Sequence, residues 1–452
     1  MAKHDDINAS SIENQDEAWV IDLIEKAMPP PSSSTRIHRV PEIVLREMGD
    51  YEKYYVPKVV SIGPYHYGNP KLQSIEKLKP VFTKELLSRS EHNERLSSLY
   101  KYLGAANMVK ELRGFYEEKS TDHLSDKEFT TMMLLDGCFI LYYILFIYGE
   151  KPGSCRELRS HKIVLINRDL FLLENQIPFK VLNNVMDLMK LDRRDKFLLF
   201  FADNILSRRQ IRGWFLFGSS STQTYQNSGR ESHGSYEFVG DHLLHRLHTG
   251  LTEPSTMNES HRNSYGHKNT FHNVRELEYV GIHFRPSSVM SLAHVEFAGR
   301  WWWWFSAYVK LPPITVDDST KPMLLNLIAY EMCAEDAHDA WVTSYMCLLN
   351  SLIDHPEDVK ALRKAGVIDN SLGSDQEIAT LFNEIGTGLV PNNATYSKAK
   401  YQIQRSYENL AKSKFCEIRH EYIINPTAVF TVLALFLTAV QTFFAIWSIK
   451  GK

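Results

Sequence analysis

His242, His245 and His248 stand in the spacing H-x-x-H-x-x-H. On a helix, side chains three residues apart lie within about 5–6 Å, so one pair could share a metal ion. All three cannot comfortably do so, because six residues turn a helix through about 600°, about 240° net. No acidic or cysteine ligand sits at a zinc-motif distance. Seven of the 18 histidines fall between His233 and His272, so a solvent-facing, pH-responsive loop is a second reading and incidental polar composition is the default. Cys138 with Asp136 suggests a nucleophile and helper. A reactive thiol needs an electropositive, partly open setting, and Cys138 heads the apolar run CFILYYILFIY, so a buried structural cysteine is favoured. Asp136-Gly137 then reads as a helix-start or turn device. Glu174-Asn175-Gln176 interrupts an apolar segment. It is either a polar cleft, with His66 as a further wall, or a structural network ahead of Pro178, since each buried polar group left unsatisfied costs about 1–3 kcal/mol. Asp317-Asp318, before Ser319 and Thr320, makes a turn and helix cap more simply than a cation site.

No P-loop, G-x-G-x-x-G, G-x-S-x-G or H-E-x-x-H is present. No residue is therefore assigned a catalytic, cofactor-binding or metal-ligating role, and no cofactor is expected. The net charge of −3 and the lack of a basic stripe with interleaved aromatics argue against nucleic-acid binding. The five cysteines (Cys138, Cys155, Cys333, Cys347, Cys416) are odd in number and scattered, which fits a reducing compartment. The polar, acidic start of the chain does not read as a signal or transit peptide. Sequons at Asn8, Asn258 and Asn393 carry weight only if the body is lumenal.

These residues need elements to position them. Residues 16–28 form an amphipathic helix that docks on its own domain or on a membrane surface, and PPPSSS at 29–34 is a linker. Residues 36–70 read as extended pieces and turns, and 72–119 as helical. Residues 138–148 are too short for a span and follow Asp136, so they are expected as a buried core helix. LFLLENQIPFKVLNNVMDL at 170–188 reads as another core helix, broken near Pro178. Low-aliphatic text at about 217–273 reads as a loop excursion flanking a short helix at 238–248. GIHFRPSSV and LAHVEFAGRWWWWFSAYVKLPPITVDD have strand character. Trp301–Trp304 would alternate across a strand, with one pair in the core and the other over a helix, a partner or a membrane interface. Helices are expected at 322–333, 338–354, 355–365 and 375–385, and a polar one at 397–422. The fold class is mainly α with a small antiparallel β-sheet (α+β). One transmembrane helix is added at 427–449, whose 23 uncharged residues span about 34 Å as a helix.

Several segments, in order, resemble the plant domain of unknown function 247 family: IHRVP (37–41), VSIGPYHYG (60–68), EKLK (76–79), LLDGCFIL (134–141), DLFLLENQIPF (169–179), RELEYVGIHF (275–284) and LPPITVDDSTKPMLLNLIAYE (311–331), with VTSYMCLLNSLI and DVKALRKAGVIDN covering 342–370. The resemblance implies a plant protein with one family domain over 36–422, after the helix and linker read at 1–35, and a single C-terminal membrane helix. It implies no reaction. The family's Trp-rich text before the span is absent here, and Trp301–Trp304 is not part of its pattern.

The expectation is a tail-anchored, single-pass membrane protein, held in the bilayer by its C-terminal helix, with a cytoplasmic body that meets an unidentified protein partner and performs no catalysis. Lys412, Lys414 and Arg419 before the span, against Lys450 and Lys452 after it, lean the same way. The alternatives are a membrane-tethered enzyme around Glu174, Asn175 and His66, and a cell-surface recognition protein. The particular membrane and the oligomeric state are left open.

Overall fold

The computed structural model describes residues 36–47, 50–87, 92–149, 158, 160–189, 194–204, 241–252, 272–299, 307–333, 340–392, 394–412 and 426–450. The expected 16–28 helix, residues 217–240 and 253–271 of the excursion, the three sequon asparagines and Trp301–Trp304 lie outside them.

The described chain is mainly helical. Its first half is built on one helix. Two short helices, α1 (Glu42–Glu47) and α2 (Tyr51–Tyr54), lead through an irregular stretch to α3 (Gln73–Glu76), α4 (Lys79–Leu87), α5 (His92–Leu103) and α6 (Ala106–Arg113). Next comes α7 (Asp126–Ile147), opened by a capping box in which Ser125 and Glu128 satisfy each other's backbone N–H. Then follow α8 (Ser160–Asp169), α9 (Phe179–Met189) and α10 (Arg194–Asn204). Helices α4, α5, α6, α9 and α10 pack around α7. A helix apolar on every side must be enclosed this way. Gly137 lets α9 approach: a Cβ there would lie 3.1 Å from Val181 Cγ1 and 3.3 Å from Val185 Cγ2.

By length and composition α7 could cross a membrane. Its side chains from Phe129 to Leu145 are instead almost all buried in the body, so it is a core helix. The expectation of a core helix stands, but the argument from eleven residues does not, because the helix has 22. Asp136-Gly137 is not a helix start either; it lies mid-helix.

Two further expectations are corrected. Among the described residues, 36–70 contain α1 and α2 and no strand beyond an isolated bridge from Ile37 to Tyr116. Residues 170–178 are not helical. The chain leaves α8 at Asp169, winds through Leu170–Gln176 and re-enters a helix only at Phe179, after Pro178. Proline biases Ile177 toward extended backbone, and the side chains of Asn175 and Gln176 take over carbonyls of Asp169, Leu170 and Leu172 that a helix would have bonded.

The second half holds α11 (Leu243–Thr252), α12 (Val274–Tyr279), β1 (Ile282–Pro286), β2 (Glu296–Gly299), β3 (Ala307–Leu311), β4 (Ile314–Val316), α13 (Thr320–Cys333), α14 (Trp341–Leu352), α15 (Pro356–Lys364), β5 (Ile368–Asn370), α16 (Asp375–Gly386) and α17 (Ser397–Lys412). The sheet is mixed rather than antiparallel. β3 lies between β1, its parallel partner, and β2, its antiparallel one. Alternating burial reveals a strand but not its neighbour, and inserting β3 between two earlier strands of opposite direction forces one parallel pair. β4 pairs in parallel with β5, which the sequence did not suggest. One continuous apolar cluster runs from Ile37 to Ile403. A last helix, α18 (Pro426–Lys450), is 25 residues long.

Candidate functional site

The polar residues singled out in the sequence converge where the 54–67 stretch, α7 and the 169–176 turn meet. Glu174 is buried and accepts from Val40 N (2.9 Å) and the Tyr51 hydroxyl (2.9 Å). His66 Nε2 lies 3.5 Å from Glu174 Oε2, and its side chain is only 11% exposed. Burial, helped by the nearby Arg39 charge, lowers the His66 pKa to about 4, so the imidazole is neutral at physiological pH. The Tyr51 phenol is pushed above its ordinary value by burial and by the Glu174 carboxylate.

Asn175 faces the other way. Its Oδ1 accepts from Ile62 N at 2.7 Å, and its Nδ2 donates to Val60 O and Asp169 O. Asp169 completes the grip by accepting from Lys58 N, Val59 N and Val60 N. Even with those three donors, burial raises its pKa to about 6. Gln176 donates to Leu170 O and Leu172 O and accepts from Leu244 N. Asn326 of α13 adds a third amide, accepting from Leu173 N and donating to Tyr54 O and Pro322 O. Each side chain thus satisfies backbone groups that irregular buried chain would otherwise strand.

Beneath this network lies a buried ion pair that sequence reasoning missed. Lys79 Nζ is 2.5 Å from Asp136 Oδ1, donates to Ser61 O at 2.6 Å and also pairs with Glu76. Burial alone would lower the Lys79 pKa; Asp136 and Glu76 more than offset it, and the ammonium is held charged. Asp136 Oδ2 accepts from Gly63 N at 2.7 Å. Gly63 has φ 76°, and a Cβ there would stand 2.3 Å from Gln176 O. The only sequence signal was Asp136 itself: an acid in an apolar run requires a cation, but spacing does not say which one. Cys138 is fully buried, and burial pushes its thiol up to about 12, away from nucleophilic use.

The histidine triplet opens α11. Among the described residues, no group of three or more His, Cys, Asp or Glu side chains is placed to hold a metal. The three rings surround one residue, Tyr330, with centroids 5.7, 5.7 and 5.2 Å away. His242 is buried. Its Nε2 lies 3.2 Å from Arg36 O, and its Nδ1 lies 3.3 Å from both Gln176 Oε1 and His245 N. Burial lowers its pKa to about 3. His245 bonds Asp241, which pairs with Arg36. His248 donates to Glu331 at 2.8 Å, and Glu331 accepts from Val342 N, Thr343 N and the Thr343 hydroxyl at the start of α14. The composition is therefore structural rather than incidental. Asp317 accepts from Ser319 N and the Ser319 and Thr320 hydroxyls, the turn and cap expected before α13.

Two surface grooves among the described residues lie elsewhere. One, of about 520 Å³, runs between α12, β1 and α15 and is lined by Arg275, Glu278, His283, Glu357, Lys360 and Lys364 among others. The second, of about 200 Å³, lies between β2 and α17 and is lined by Phe297, Lys398, Tyr401, Gln402, Arg405 and Ser406. Glu174 and His66 do come together, as the cleft reading required. Asn175 is turned to the far side of the backbone, and none of the three lines either groove.

Two curated proteins of Arabidopsis thaliana are similar. UPF0481 protein At3g47200 is 28% identical over 75% of this chain and 70% of its own length. Putative UPF0481 protein At3g02645 is 22% identical over 87% of each. No solved structure matches. The DUF247 family, described as plant protein of unknown function, matches residues 37–440, and the chain belongs to it.

Proposed function

We propose that the protein is a tail-anchored, non-enzymatic interaction module whose body lies on the cytoplasmic face of a membrane. The observation that carries the anchor is α18. Its 25 residues extend about 37 Å, more than a bilayer core of about 30 Å. It displays Phe430, Leu435, Phe436 and Phe443 at 62–74% exposure. Hydrocarbon is the environment in which that surface costs nothing, and a helix satisfies its own backbone there. The cytoplasmic side is supported by the free thiols of Cys138, Cys333 and Cys347. The non-enzymatic reading is supported by the use of Asp136, Asp169, Glu174, Asn175 and Gln176 as backbone anchors, which leaves their lone pairs and protons engaged.

The test is alkaline carbonate extraction of membranes from plant cells expressing the full chain or a version ending at Asn425. The full chain should stay with the membranes and the truncated one should be released. Release of both would refute the anchor. Proximity labelling from the N-terminus then identifies the partner. Reproducible ester or amide hydrolysis, lost in Cys138→Ala, would overturn the non-enzymatic reading.

A further inference from the structure

We propose that the groove between β2 and α17 binds the phosphate-bearing headgroup of an anionic phospholipid, seating the body against the membrane. This rests on reading α18 as the anchor. Lys398, Tyr401, Gln402 and Arg405 follow the i, i+3, i+4, i+7 spacing and form one face of α17, with Ser406 beside them. All five polar side chains that line the groove can donate a hydrogen bond, and none is a carboxylate. Phe297 of β2 supplies the apolar wall. At about 200 Å³ the groove is below the usual ~300–1,000 Å³ of a pocket for a whole small molecule. It suits a phosphate and the first atoms of its ester.

Charge and connectivity select the lipid. Between Ser397 and Asn425 stand Lys398, Lys400, Arg405, Lys412, Lys414 and Arg419 against Glu408, Glu417 and Glu421, whereas the whole chain is at −3. The cationic excess therefore lies in the stretch that joins α18. Thirteen residues, 413–425, separate α17 from α18 and reach at most about 45 Å, a tether that lets the groove come to the bilayer surface. Anionic lipid attracts juxtamembrane Lys and Arg with an energy that corresponds to about fivefold per charge, or about thirtyfold for Lys398 and Arg405 together.

The experiment places the full chain in vesicles of phosphatidylcholine alone or with about one-third phosphatidylserine, and reads amide hydrogen exchange over α17. Exchange should slow about tenfold with phosphatidylserine, and about 0.5 M salt should remove the effect. Lys398→Glu with Arg405→Glu should remove it too, while unchanged exchange in α13 shows that the variant is folded. Lys398→Arg with Arg405→Lys should retain it. Equal exchange in the two lipids, or slowing that survives the charge reversal, overturns the proposal. Protection by inorganic phosphate in phosphatidylcholine vesicles overturns the lipid assignment. A chain that fails to float with either vesicle overturns the anchor instead, so the two failures are distinguishable.

Discussion

Lys79→Met should destabilise the body far more than its surface-like sequence context suggests. Lys79 Nζ donates to Asp136 and to Ser61 O, with Glu76 beside it, and both Lys79 and Asp136 are 1% exposed. Methionine fills the same volume but leaves Asp136 buried without its cation, a loss of about 3–5 kcal/mol. It also strands the Ser61 carbonyl, which costs about another 1 kcal/mol. A total of roughly 4–6 kcal/mol is a large part of the ~5–15 kcal/mol available to a folded domain. Asp136→Asn is milder, at about 2–3 kcal/mol, because its carbonyl still accepts from Gly63 N and Lys79 keeps Ser61 and Glu76. The double variant removes both charges and should fall short of the sum by about 2–3 kcal/mol. The assay is urea unfolding of the full chain in mild detergent, followed by tryptophan fluorescence, with exposed Lys77→Met as a control expected within ~0.5 kcal/mol of the parent. A cost below ~1 kcal/mol for Lys79→Met, or coupling below ~0.5 kcal/mol, would refute the buried pair.

Stability should fall on acidification from pH 7 to 5. His66 and His242, lowered to about 4 and about 3, stay neutral in the fold while the unfolded chain takes up protons near pH 6.5, so each costs about 2 kcal/mol. Asp169, raised to about 6, protonates in the fold first and returns about 1 kcal/mol, which leaves a net loss of about 2–3 kcal/mol. The urea midpoint against pH measures this, and the slope should flatten in His66→Gln with His242→Gln. Gly63→Ala should cost at least about 2–3 kcal/mol, read as a lower thermal midpoint, because it combines φ 76° with a Cβ driven onto Gln176 O. Glu331→Ala should cost about 3 kcal/mol, since it strips the acceptor from two amides and one hydroxyl at the start of α14 and from His248; hydrogen exchange should show α14 opening first.

The helices after Asp317 were legible because their apolar spacing and caps are local; Thr320–Cys333, Trp341–Leu352, Pro356–Lys364 and Asp375–Gly386 all fall close to the expected ranges. What was not legible depends on distant partners. Asp136 looked like a helix start because its cation is 57 residues away. LFLLENQI looked helical because its apolar content is that of a core helix, and only the amides of 58–62 explain why the chain prefers an irregular path there. The histidine triplet looked incidental because its organiser, Tyr330, sits on another helix.

The stretches that carry the family resemblance are also the stretches that meet in this network. Ser61, Gly63 and His66 come from VSIGPYHYG, Lys79 and Glu76 from EKLK, Asp136 from LLDGCFIL, Glu174 and Asn175 from DLFLLENQIPF, and Asn326 from the LPPITVDD segment. Here Asp136, Glu174, Asn175 and Asn326 engage backbone amides and carbonyls, Lys79 pairs with Asp136 and Glu76, and His66 Nε2 is buried beside Glu174 without a hydrogen bond. What these motifs specify together is the path of two irregular segments through a helical core. The α12–α15 and β2–α17 grooves draw on none of these network residues.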